Sequence, residues 1–209
     1  RHGNMYTKEA HDYFQRLQFK NLLGRFDVEA DSNDVEEYFK EITEKAEIEQ
    51  VFAEAMKTKL VGVGISEDAG NVLPLFAHES GYGRISLAYD REKIYTIPAD
   101  MEVTMDYLFG KLTELAKKVD TFALCNLKKY LSLISVEKEE HCFDPILAAY
   151  LLNPLKNDYD FEDIAREQLN LIIDEKADEK TKSCYEAYTA FASVEILKKK
   201  LDETKMKKL

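Results

Sequence analysis

The residues of this chain that could carry chemistry are few and scattered. His2, His11, His78 and His141 lie far apart, with no His-Glu-x-x-His pair and no paired cysteines, so nothing in their spacing builds a zinc centre. Cys125, Cys142 and Cys184 form an odd set, each in an apolar stretch, and read as free buried thiols of a reducing cytosol. Gly62-Val-Gly64 matches half of a dinucleotide fingerprint, but the third glycine is absent and Glu67-Asp68 would face any pyrophosphate. Two glycines in a strand are better read as close packing or a bulge. Glu79-Ser-Gly-Tyr-Gly83 lacks the first glycine of a nucleophile elbow and reads as a loop. That leaves carboxylates, whose chemistry would be cation binding. Of these, Asp144 stands directly before Pro145 and Asp160 has Asp163 three residues on, so both are expected to cap helices.

Charge narrows the function classes. In 209 residues, 29 bases stand against 40 acids, a net charge of −11. Residues 198 to 209 carry six lysines against Asp202 and Glu203, so residues 1 to 197 hold 29 less 6 bases and 40 less 2 acids, a net of −15. Such a body repels polyphosphate, and the terminal lysines, themselves read as a solvated helix face, are the one DNA-facing patch. Apolar residues at 45% suit a folded globular chain, and no run approaches the ~18 apolar residues of a membrane helix. The chain begins with Arg1 and stops inside a basic helical pattern, which reads as a piece of a longer protein.

Periodicity supplies the elements that must position any site. Thr7 opens an amphipathic helix to Gly24, and the acidic stretch Asp27 to Asp34 reads as a linker. The main domain is expected from Val35. A short strand is expected over Tyr38 to Ile42, a helix over 46 to 57, and a buried strand over Leu60 to Ser66. Arg84 to Asp90 and Lys93 to Pro98 alternate with period two about Asp90-Arg91-Glu92 and predict a hairpin. Met105, Leu108, Leu112 and Leu115 predict a helix, Thr121 to Cys125 a strand, and 126 to 134 a helical segment. Further helices are expected from Asp144-Pro145, over 160 to 169, and from Lys182 to the end, the last with Ala187, Phe191, Val194, Leu197 and Leu201 on one face. The sum is a mixed sheet covered by helices, in the α/β or α+β class.

Three blocks of this pattern resemble one family. Phe143-Asp-Pro-Ile-Leu-Ala-Ala-Tyr-Leu-Leu-Asn-Pro154 and the following Tyr159-Asp-Phe-Glu-Asp-Ile-Ala165 resemble the exonuclease-like domain of bacterial DNA polymerase I, the family A polymerases. Phe19 to Phe26 is similar to the tail of the preceding 5′ nuclease region, and Cys125-Asn-Leu-Lys128 to the second exonuclease motif. The resemblance spans nearly the whole chain and is weakest from 67 to 83. It implies a ribonuclease H-like fold of the proofreading 3′–5′ exonuclease type over 35–209. Residues 1–34 would be the nuclease-region tail helix and linker, and a polymerase domain would follow Leu209.

Active members of that family hold two divalent metals on carboxylates, and hard cations of this kind need oxygen ligands. The first motif, Asp-x-Glu on the first long strand, falls here among Val63, Gly64, Ile65 and Ser66. The second places an Asp where this chain has Tyr130, and the third, Tyr-x-x-x-Asp, matches Tyr188 to Ala192. All three lack carboxylates, so the cleft is expected to present glycine, aliphatic and phenolic groups and to hold no metal. The resemblance then implies a vestigial exonuclease domain, without a cofactor or nuclease chemistry of its own, serving as a scaffold for the polymerase and 5′ nuclease domains of the same chain. It further implies DNA contact through the parent protein, with Mg²⁺ and deoxynucleoside triphosphates used there, weak or no DNA binding by this segment, a monomer, no membrane association, and a cytoplasmic, nucleoid-associated location. Two alternatives stay open: an active exonuclease with a metal site rearranged around Glu67, Asp68, Asp144 and Glu195, and an acidic module that docks a basic protein.

Overall fold

Short β-branched and aromatic runs assemble into one mixed six-stranded sheet. The strands are β1 (Phe39–Glu41), β2 (Leu60–Ser66), β3 (Arg84–Asp90), β4 (Lys93–Pro98), β5 (Thr121–Leu124) and β6 (Cys142–Phe143), ordered β1-β4-β3-β2-β5-β6. The pairs β2/β3 and β3/β4 are antiparallel, and β1/β4, β2/β5 and β5/β6 are parallel. The computed structural model describes residues 34–66, 81–137, 139–156, 159–174 and 176–204. The chain divides into two units, Arg1–Asp34 and Val35–Leu209, and the sheet belongs to the second. The expected helix over 7 to 24, residues Glu67 and Asp68, and the lysines at 205, 207 and 208 lie outside the described residues.

Five α-helices accompany the sheet among the described residues: α1 (Lys45–Ala55), α2 (Met105–Lys118), α3 (Pro145–Leu152), α4 (Phe161–Leu169) and α5 (Glu179–Glu203). Strand alternation sorts the two faces. Val61, Val63 and Ile65 of β2, Ile85 and Leu87 of β3, and Phe122 and Leu124 of β5 enter one core with Ile48 and Phe52 of α1 and Leu108 and Leu112 of α2. Each such side chain, fully buried, contributes about 1.5–3 kcal/mol relative to exposure. The opposite face carries small residues, Gly62, Gly64, Ser86, Ala88 and Ala123, and α5 lies across it on its own small residues Ser183, Ala187 and Ala190. A long helix can approach a sheet that closely only where neither side presents bulk. α3 and α4 then pack on the outer side of α5 through Ala148, Ala149, Ile164 and Leu197.

The boundaries differ from the sequence expectation in identifiable places. A 3₁₀ turn, Asp34–Tyr38, precedes β1, which is shorter than the expected strand. The segment 126–134 holds only a 3₁₀ turn, Leu127–Tyr130, entered through Asn126 in the left-handed conformation at φ 57°. α5 begins at Glu179 rather than Lys182, because Asp178 caps it by accepting the Thr181 N–H at 2.7 Å. Cys125 and Cys184 are buried free thiols, while Cys142 is only half-buried on the edge strand β6.

Candidate functional site

In open α/β sheets, ligands bind in the crevice beyond the carboxyl ends of the strands. That crevice is present here, a cavity of about 430 Å³ beyond Ser66 of β2 and Cys125 at the end of β5. Tyr130 and Lys129 wall it from the 3₁₀ turn, Asp160 and Glu162 from the start of α4, and Glu179, Lys182, Ser183 and Glu186 from the first turns of α5. Helical spacing explains the last set: 179, 182 or 183, and 186 recur every three to four residues and share a face.

The motif positions do not all meet there. Ile65, Ser66 and Tyr130 line the cavity, whereas Val63 is in the core on the other face. Gly64 faces α5 and is covered by it. A Cβ built on Gly64 would lie 2.3 Å from the Ser183 carbonyl oxygen and 3.0 Å from the Ala187 nitrogen. At Gly62 it would lie 2.2 Å from the Ala187 oxygen and 2.4 Å from the Phe191 nitrogen. Tyr188 packs with Ala88 and Ile94 further along the sheet, and neither it nor Ala192 lines the cavity. At Gly64 the space for an inward side chain is therefore occupied by helix backbone, whereas Ser66, two residues on and on the same face, borders the cavity.

The expectation that this cleft would offer only glycine, aliphatic and phenolic groups is corrected by four acidic residues that line it, Asp160, Glu162, Glu179 and Glu186. They come from helix starts and not from the motif positions, and most are committed elsewhere. Asp160 caps α4, accepting the Asp163 N–H at 2.7 Å. Glu179 accepts from Ser66 Oγ at 3.3 Å and lies 3.9 Å from Lys182 Nζ. Glu186 tucks its carboxyl beneath α5, where Oε2 accepts the Ile65 N–H at 3.1 Å. Enclosure pushes this carboxyl up to about 8; the Ile65 bond and Lys129 oppose the rise, and Glu162 adds to it. Burial also raises Glu162 above the usual carboxylate range, and Asp160 and Asp163 add to that rise.

Asp144 behaves as its place before Pro145 predicts. Its Oδ1 accepts from Ile146 N at 2.9 Å and Leu147 N at 3.3 Å at the start of α3, and from Asn126 N at 3.1 Å. Oδ2 accepts from Leu127 N at 2.9 Å. One carboxylate thus joins the β5 turn to α3, with its oxygens taken up by backbone. Glu195 is exposed on α5 and does not line the cavity. A two-metal centre needs several free, converging carboxylate oxygens. Among the described residues no three His, Cys, Asp or Glu side chains come together as a ligand set, and the donors present do not fit such a pair of ions.

No family model and no curated protein matches the chain. Solved structures do. The EXO domain of Aedes aegypti Nibbler is similar at TM-score 0.53 and 14% identity, over 81% of this chain and 91% of that one. The catalytic core of RRP6 from Trypanosoma brucei is similar at TM-score 0.56 and 11% identity, over 80% of this chain and 48% of that one. The POL domain of Pol1 from M. smegmatis, in complex with DNA primer-template and dNTP, gives TM-score 0.53 and 16% identity over 79% of this chain and 28% of that one. The fold is the ribonuclease H-like fold of 3′–5′ exonuclease domains. At these identities the likeness speaks for the architecture, and the domain is exonuclease-like in that sense.

Glu186 is the residue that sequence reasoning missed. A signal was available: it is the one carboxylate within Ser183-Cys-Tyr-Glu-Ala-Tyr-Thr-Ala-Phe191, a run without other acids or bases on a helix that must cover a sheet.

Proposed function

We propose that residues 35 to 209 are a proofreading-type 3′–5′ exonuclease domain that has lost its metal-dependent chemistry and acts as a rigid structural block in a bacterial DNA polymerase I. The observation that carries this reading is the packing at Gly62 and Gly64: α5 lies in backbone contact with the strand that would present the first carboxylates. Loss of a ligand at Gly64 alone would leave a gap, whereas here helix backbone stands against that position. The parent assignment is supported by the contiguous blocks Phe143 to Pro154 and Tyr159 to Ala165 and by the likeness to a polymerase structure.

In this reading the domain's partners are the polymerase and 5′ nuclease domains of its own chain. DNA, Mg²⁺ and deoxynucleoside triphosphates are handled by the parent protein in the cytoplasm, and the acidic cleft contributes no phosphate binding. Among the described residues no helix is long and apolar enough to cross a membrane.

The test is incubation of the purified chain with 5′-labelled single-stranded DNA and Mg²⁺ or Mn²⁺. The expected result is no metal-dependent shortening from the 3′ end. Shortening that persists through repurification and disappears in Glu186→Gln or Glu162→Gln would establish instead a nuclease built on the relocated carboxylates.

A further inference from the structure

We infer that Glu186 is a two-position, proton-operated side chain: neutral, it stays beneath α5 against the Ile65 amide, and charged, it swings into the cavity and leaves that amide open. The inference goes beyond the scaffold reading and does not depend on whether the domain cleaves DNA. Its basis is geometric. Glu186 is half-buried at the edge of a cavity of about 430 Å³, so its carboxyl has somewhere to go, and a single bond from Ile65 N holds it.

The helix itself cannot yield in its place. Cys184, Tyr185 and Ala187 on either side of Glu186 are fully buried, and the backbone already rests on Gly62 and Gly64. Any response to charge is therefore confined to the side chain.

The groups that face it are Asp160 and Glu162 of α4, Tyr159 just before that helix, Glu179 and Lys182 of α5, Lys129 and Tyr130 of the 3₁₀ turn, and Cys125 at the end of β5; the end of β2 adds Ser66. Three carboxylates against two ammonium groups leave an excess of negative charge, so the field in the cavity disfavours a second charge at the inner position. Held inward, the carboxyl titrates at about 8, against 4.5 for an ordinary glutamate. The outward position offers a solvated alternative, so the observed midpoint falls between those values. Below it the base of the cavity is an uncharged acid; above it the cavity gains a carboxylate on its wall and an unpaired N–H at its base.

The experiment follows Glu side-chain ¹³C and backbone amide resonances of the whole chain from pH 4 to 9.5. Glu186 Cδ and the Ile65 amide are expected to move together with one midpoint well above 4.5 and no higher than about 8. Protection of the Ile65 amide, corrected for the intrinsic rate, is expected to fall on the order of tenfold per pH unit on the approach to that midpoint and to level off above it. Glu162→Gln removes a like charge and lowers the midpoint, and Glu186→Gln holds the Ile65 amide in its low-pH position throughout. If Glu186→Gln fails to fold, the Glu162→Gln shift read on Ile65 decides. An Ile65 amide that stays fixed while Glu186 titrates, or a Glu186 midpoint at the ordinary value, overturns the inference.

Discussion

Gly64 and Gly62 bear the close approach of α5 to β2, and replacing either with alanine tests it. Neither has a left-handed backbone, so the cost is one of space alone. An added Cβ needs about 3.4 Å of clearance and would find 2.3 Å at Gly64 and 2.2 Å at Gly62, both against carbonyl oxygens of α5. To make room, the helix must retreat by about 1 Å along a face whose Cys184, Ala187 and Ala190 are fully buried. Overpacking a tight core typically costs 1–3 kcal/mol, and here the obstacle is backbone that no rotamer change can clear, so about 3 kcal/mol is expected. For a domain of this size that lowers Tm by about 10 °C. Gly110→Ala supplies the control. It sits in α2 with nothing within 4 Å of an added Cβ, and the same substitution there should stabilise by about 1 kcal/mol through helix propensity. Urea denaturation of the three variants reads both signs. If Gly62→Ala and Gly64→Ala unfold within about 0.5 kcal/mol of the parent, α5 does not rest on β2 and the motif space is not filled by helix backbone.

Other substitutions probe the rest of the site. Asp144→Ala leaves four backbone N–H groups without their acceptor and should cost about 2–3 kcal/mol in urea denaturation, with Asp144→Asn recovering part of it. A folded-state carboxyl at about 8 binds its proton more tightly than in the unfolded chain, so Glu186 contributes fully below pH 4.5 and its contribution is lost as pH rises from there to about 8. Glu186→Gln should therefore gain stability relative to the parent across that window, by at most about 3 kcal/mol at pH 7, and a variant whose advantage shrinks as pH rises would contradict the assignment. Burial pushes the Cys125 thiol well above its ordinary value and the Cys184 thiol up to about 11. Disulfide reagents at pH 8 should accordingly modify half-buried Cys142 first and the other two only on unfolding, as peptide mapping would reveal.

The elements legible in the sequence were those governed by local rules. The hairpin from Arg84 to Pro98, the caps at Asp144 and Asp160, and the helices with clear spacing follow from period and capping chemistry alone. β6, two residues long, carries no period to read. The stretch after Asn126 misleads because its spacing looks helical while it winds only as the 3₁₀ turn Leu127–Tyr130 and then as turns to residue 134. The site was harder, since which residue of α5 meets the cavity depends on how that helix slides along β2, and Gly62 and Gly64 set that register. Motif matching drew attention to Tyr188 and Ala192, while the packing brings Glu179, Lys182, Ser183 and Glu186 to the cavity instead. The absence of acids at Gly64, Ser66 and Tyr130 was readable directly, but the arrival of others from α4 and α5 was not.

The most direct test of the proposed loss of metal binding is an anomalous diffraction map from crystals of this chain equilibrated with Mn²⁺ at pH 8. The account predicts no pair of manganese peaks in the cavity between Ser66, Tyr130 and Glu186. Two peaks about 4 Å apart there, bridged by Glu162 and Glu186, would contradict it.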